Sequence, residues 1–66
     1  MNKFIKLDDV MEMTGLSRSS IYQFMADGTF PDKVKLGARS VAWDANEVRG
    51  WMDGRIAASR PKVAAR

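Results

Sequence analysis

The 66-residue chain contains no cysteine and no histidine, and each absence removes a class of protein. Without cysteine no disulfide can staple so short a chain. Without either residue a structural zinc loses its usual ligands. A Ser–His–Asp triad and a Cys–His pair are both impossible. The eight Asp and Glu residues could form an acid/base pair, but one small core leaves little room for a substrate cleft. No apolar run approaches the roughly 20 residues of a membrane helix, and Met1-Asn2-Lys3-Phe4 lacks the pattern of a signal peptide. The expectation is a cytoplasmic, non-enzymatic domain with no metal, no cofactor, no membrane and no small-molecule ligand.

What is present suffices for one core. Hydrophobic residues make up 45% of the chain, with two Trp, three Phe, one Tyr and five Met. A domain of this length buries only about 60% of its unfolded surface, so every packed side chain matters. The net charge of +3 is unevenly placed. All eight acidic residues lie at or before Asp53, alongside seven basic ones, a balance of −1. The remaining residues add Arg55, Arg60, Lys62 and Arg66 and no acid. A nucleic-acid partner would therefore have to be met by a local cluster of charge.

Local patterns predict the elements. Lys3 to Lys6 alternates and reads as a brief extended segment turning Phe4 or Ile5 inward. Asp8 is a candidate N-cap for a first helix, with Leu7 as a staple before it, Asp9 and Glu12 near its positive end, and Gly15 closing it. Ser17 caps a second helix, Arg18 to Asp27, ended by Gly28, with Ile21, Phe24 and Met25 as its buried stripe. Phe30, beside Pro31, plugs the core from a loop. Lys33–Leu36 and Ser40–Trp43 alternate around Gly37-Ala38-Arg39, the signature of a two-stranded ribbon with Val34, Leu36, Val41 and Trp43 inward. Asp44 with Glu47 three residues later is a capping box for a third helix. That helix carries Val48, Trp51, Met52 and Ile56 on one face to about Ala58. Gly50 and Gly54 inside it suggest a close helix contact, within the fold or between protomers. Trp43 and Trp51 are expected to pack together. The reading is an α+β domain over residues 1–58, followed by a basic, disordered tail over 59–66.

A short helix, a glycine turn and a Ser-capped second helix form a helix-turn-helix candidate, a unit that offers its second helix to the DNA major groove. At 100° per residue, Ser19, Gln23 and Ala26 lie opposite the buried stripe, flanked by Arg18, Ser20 and Tyr22. Arg suits guanine, Gln suits adenine and Ser suits either; the Tyr22 hydroxyl suits a phosphate. No acid appears on this surface before Asp27. The ribbon adds Lys33, Lys35 and, at its tip, Arg39, as expected of a wing that tracks the backbone or enters the minor groove. The candidate DNA-contacting set is Ser17, Arg18, Ser19, Ser20, Tyr22, Gln23, Lys33, Lys35, Arg39 and Ser40. The competing reading makes the serines mere helix caps and the lysines solvated strand positions.

Ile5-Lys6-Leu7, the run Thr14-Gly15-Leu16-Ser17-Arg18-Ser19-Ser20-Ile21-Tyr22, Phe30-Pro31, Val34 through Trp43, and Glu47-Val48 with Trp51 together resemble the AlpA family of phage and prophage regulators. The resemblance runs in order over about residues 4–58. It implies a small winged helix related to the MerR N-terminal domain and to phage excisionases. It also implies a DNA-binding transcriptional regulator that often acts on a neighbouring integrase gene. Carried over, the recognition helix is Ser17–Met25 and the wing Lys35–Val41. Ala38 stands where a second glycine is common, and Gly54 where alanine is common. The expected partner is double-stranded DNA, with integrase or further copies of the chain on adjacent sites. Two alternatives remain: an excisionase-like directionality factor that bends attachment-site DNA, and a protein-interaction module that does not bind DNA.

Overall fold

The computed structural model describes residues 3–60. Six elements follow one another: β1 (Phe4–Ile5), α1 (Leu7–Thr14), α2 (Arg18–Ala26), β2 (Val34–Lys35), β3 (Val41–Asp44) and α3 (Ala45–Ser59). Three helices and an antiparallel sheet make an α+β fold compatible with a winged helix-turn-helix.

The sheet departs from the expected ribbon by one strand. Its order is β1-β3-β2, with Ile5 opposite Trp43 and Val34 opposite Ala42. A lone hairpin is marginal in water, and β1 supplies the third strand. Of the two inward candidates at the N-terminus, Ile5 is buried and Phe4 is half exposed. Leu36, expected inward, is 47% exposed. The β2 ladder ends at Lys35, and the Leu36 N–H already closes the loop onto the Ser40 carbonyl at 2.7 Å. Alternation therefore stops one residue too soon to turn Leu36 inward. Ala42 is buried in its place, a small side chain on the central strand with a neighbouring strand at each edge.

Tertiary pairing also moves the start of α1. Asp8 is not its N-cap; Lys6 is, with extended backbone and no side-chain bond, its carbonyl accepting from Val10 N–H at 3.0 Å. The chain turns into the helix directly after the Ile5–Trp43 pairing ends. Leu7 is thus the first helical residue rather than a staple, and Asp8 and Asp9 fall in the first turn, where carboxylates favour the helix dipole.

The turn between α1 and α2 is built from local bonds. Gly15 takes the left-handed conformation, φ 73°, which a residue with a Cβ adopts only at a cost. Thr14 Oγ1 donates to the Val10 carbonyl at 2.8 Å and accepts from Leu16 N–H at 3.2 Å. Ser17 then caps α2, its Oγ accepting from Ser20 N–H at 3.2 Å. At the other end Gly28, φ 78°, lets its own N–H reach the Met25 carbonyl and Thr29 N–H reach that of Phe24. This is a Schellman motif, and it ends α2 at Ala26, one residue before the expected Asp27.

Ile5, Val10, Ile21, Phe30, Trp43, Ala45 and Val48 form the core. Trp43 and Trp51 both join it, but the ring partners of Trp51 are Phe30, edge-on at 4.8 Å, and Phe24 at 5.9 Å. Asp44 caps α3 as expected, through Asn46 N–H at 2.9 Å rather than through Glu47. The helix runs through both internal glycines to Ser59. A Cβ built on Gly50 or Gly54 meets nothing within 4 Å, so neither marks a close contact within the described fold. From Asp53 onward α3 is exposed. Ile56, expected on the buried face, is 48% exposed and stands at the edge of a groove it lines with Leu16, Phe24 and Trp51. The tail expected from residue 59 lies, from Pro61 on, outside the described residues.

Candidate nucleic-acid interface

The fold separates the side chains of α2 by its 3.6-residue period. Ile21 is fully buried, and Phe24 and Met25 pack on the core. Arg18, Ser19, Tyr22 and Gln23 are exposed. Among the described residues, the Arg18, Ser19 and Gln23 side chains hold no internal hydrogen bond or ion pair. The two flanking serines are engaged with each other. Ser17 Oγ accepts from Ser20 N–H and donates to Ser20 Oγ at 3.1 Å. Ser17 therefore spends its hydroxyl on the cap, while the Ser20 hydroxyl keeps its own hydrogen available.

The wing brings a second element to the same place. Arg39, in the loop between β2 and β3, joins Arg18 and Tyr22 around a cleft of about 290 Å³. Val41 and Trp43 form part of its wall, and Lys6 and Asp8 border it from the start of α1. Lys35 is opposite Val41 across the β2–β3 ladder, so the two share a sheet face. Four elements thus meet at one cleft that carries three cations and one carboxylate. Among the described residues no ion pair ties up Lys6, Arg18 or Arg39.

Not every candidate is brought here. Lys33 lines a separate groove with Pro31, Asp32, Val34 and Glu47, and its N–H is held by Asp32 Oδ1 at 2.9 Å. Ser40 is half buried, and its carbonyl accepts the Leu36 and Gly37 N–H groups that close the wing. Lys6 is the residue that sequence reasoning missed. Its place beside the wing depends on the β1–β3 pairing, and no local signal announced that pairing. The Trp43 indole adds a further feature. Its Nε1 is buried and has no hydrogen-bond partner among the described residues.

The described residues contain no group of three or more potential metal ligands and no helix long and apolar enough to cross a membrane.

The chain is 49% identical over 55 residues to the uncharacterized protein ORF88 of Enterobacteria phage P4, covering 83% of the chain and 62% of that relative. It is 34% identical over 59 residues to the DNA-binding transcriptional activator AlpA of Escherichia coli K12, covering 80% of the chain and 84% of the activator. The family model described as prophage CP4-57 regulatory protein (AlpA) matches residues 3–56, which span both helices of the helix-turn-helix, the wing and most of α3. The chain is a member of the AlpA family.

Proposed function

We propose that the chain is a sequence-specific, DNA-binding transcriptional regulator of phage type. In this reading α2 enters the major groove and the wing from Lys35 to Val41 lies on the backbone or in the minor groove. The observation that carries it is the cleft shared by the helix and the wing. Arg18, Tyr22 and Arg39 line it together, and the cations have no internal partner among the described residues. Unpaired cations at the junction of a groove-reading helix and a wing suit a polyanion with regularly spaced charge. The family membership and the likeness to a DNA-binding activator support the same reading.

The roles divide by chemistry. Ser19 and Gln23, exposed on the outer face of α2, read base edges. Arg18, Tyr22, Lys35 and Arg39 hold phosphates and set the register. Ser17 acts through the helix start it caps, and Ser20 donates its remaining hydroxyl hydrogen. Ser40 shapes the wing, and Lys33, on its own groove, adds general positive potential. One such module covers roughly 600–1,000 Å² of its own surface, so tight binding requires more than one copy on adjacent sites. The regulated gene is an integrase or excision gene in the neighbourhood of the chain's own.

Footprinting across that neighbourhood, with a salt titration, tests the reading. Log K should fall with log salt by about 0.9 for each phosphate neutralised. Gln23→Ala should relax preference at one base pair by about 1–3 kcal/mol, while Arg39→Ala weakens all sequences alike. Binding indifferent to salt would sink the proposal. A ladder of bent complexes on attachment-site DNA, in place of a single promoter complex, would assign the chain to excision.

A further inference from the structure

The cleft between helix and wing gathers positive charge from distant parts of the chain. Its three cations come from three separate pieces of chain: Lys6 before α1, Arg18 at the first position of α2, and Arg39 in the wing loop. Tyr22 adds a phenolic hydroxyl on the flank, and the wall includes Trp43, whose buried indole N–H is unpaired among the described residues. The one acid, Asp8, lies in the first turn of α1. The helix dipole favours a carboxylate there, and the cleft keeps a surplus of two positive charges.

We infer that this cleft seats a single backbone phosphate of the bound duplex, with Lys6 as a contact residue alongside Arg18, Tyr22 and Arg39. The inference rests on the DNA-binding reading above and adds to it a defined position and a new residue. A phosphate held there touches the start of α1, the start of α2 and the wing at once. It therefore sets the angle at which the recognition helix and the wing engage the duplex. Phosphate contacts position a protein without reading sequence, so the seat acts equally on every sequence. Lys6 is suited to a clean test. Its part in the fold is played by its backbone carbonyl, which accepts from Val10 N–H, while its side chain is exposed.

The experiment compares the full chain with Lys6→Gln, Lys6→Arg and Lys3→Gln for binding to a short mixed-sequence duplex across a salt series. Lys3 is an exposed cation on a different groove, with Phe4, Asp9 and Glu12, and its replacement removes the same charge. The expected result is a salt slope about 0.9 smaller for Lys6→Gln and weaker binding in dilute salt. Lys6→Arg should keep most of the slope, and Lys3→Gln, on its separate groove, should stay within about twofold of the parent near 0.15 M salt, where screening acts over about 8 Å. Circular dichroism should show Lys6→Gln folded as the parent is. The seat is overturned if Lys6→Gln binds like the parent, or if Lys3→Gln loses as much. A parent chain with no salt-dependent affinity for the duplex would overturn the DNA-binding reading itself.

Discussion

Helix α2 divides its side chains between two grooves of similar size and opposite chemistry. On one side Arg18 and Tyr22 line the cleft of about 290 Å³ shared with Lys6 and Arg39. On the other, Phe24 lines a groove of about 300 Å³ with Leu16, Trp51, Met52, Arg55 and Ile56. In the second groove even the cation is engaged. The Arg55 guanidinium lies over the Phe24 ring at 5.5 Å and over the Trp51 ring at 5.3 Å. In the first, the cations have no partner among the described residues. The difference separates side chains that hold the fold from side chains that the fold leaves unengaged. Both sets fit on nine residues because the helical period points them in different directions.

The largest expected effect breaks both grooves at once. Trp43 is fully buried, belongs to the core and walls the cationic cleft. Trp43→Ala should cost about 3–5 kcal/mol, as much as the roughly 3–5 kcal/mol that the single core of so short a chain supplies. Urea unfolding should find the variant mostly unfolded near 37 °C, and DNA binding should vanish with the fold. A stably folded Trp43→Ala would show that the two grooves do not depend on one core.

A smaller effect falls on the helix the grooves share. Ser17→Ala removes the acceptor of Ser20 N–H and should cost about 1 kcal/mol. Thermal unfolding and DNA titration should move together, because the start of α2 both ends the turn and carries Arg18. Affinity that fell with no change in Tm would assign the Ser17 hydroxyl to the DNA instead.

The smallest effect sets the two arginines against each other. Arg55→Ala should cost about 0.5–1 kcal/mol of stability through its lost ring contacts and leave DNA affinity near that of the parent. Arg39→Ala should change stability by no more than about 0.5 kcal/mol and weaken binding. Paired denaturation and binding curves for the two variants check the contrast. Equal stability losses would erase the distinction between engaged and waiting cations.

The parts legible in the sequence are those decided within a few residues. Ser17, Gly15, Gly28 and Asp44 act on backbone groups two to five positions away, so their roles follow from residue type and spacing. The buried stripe of α2 and the plug of Phe30 follow from periodicity and from the cost of exposing an aromatic ring. Asp8 shows where such reasoning fails. It is a good cap by type, yet the helix begins earlier because the chain turns as soon as Ile5 has paired with Trp43. Leu36 fails for a related reason, since strand alternation predicts its direction only while the ladder lasts.

The order of elements, the caps of α2 and α3, the turn and the exposed chemistry of α2 are written in local sequence, because each depends on short-range hydrogen bonds and on the period of a helix or strand. Family membership is written there too, since the family model matches the sequence over residues 3–56. Tertiary packing alone brings β1 into the sheet, leaves Ile56 half exposed at the edge of a groove, and stands Lys6 beside Arg18 and Arg39 around one cleft. Those outcomes depend on pairing between segments far apart in the chain. No residue encodes the pairing alone; it is set where Ile5 and Trp43 find a shared core.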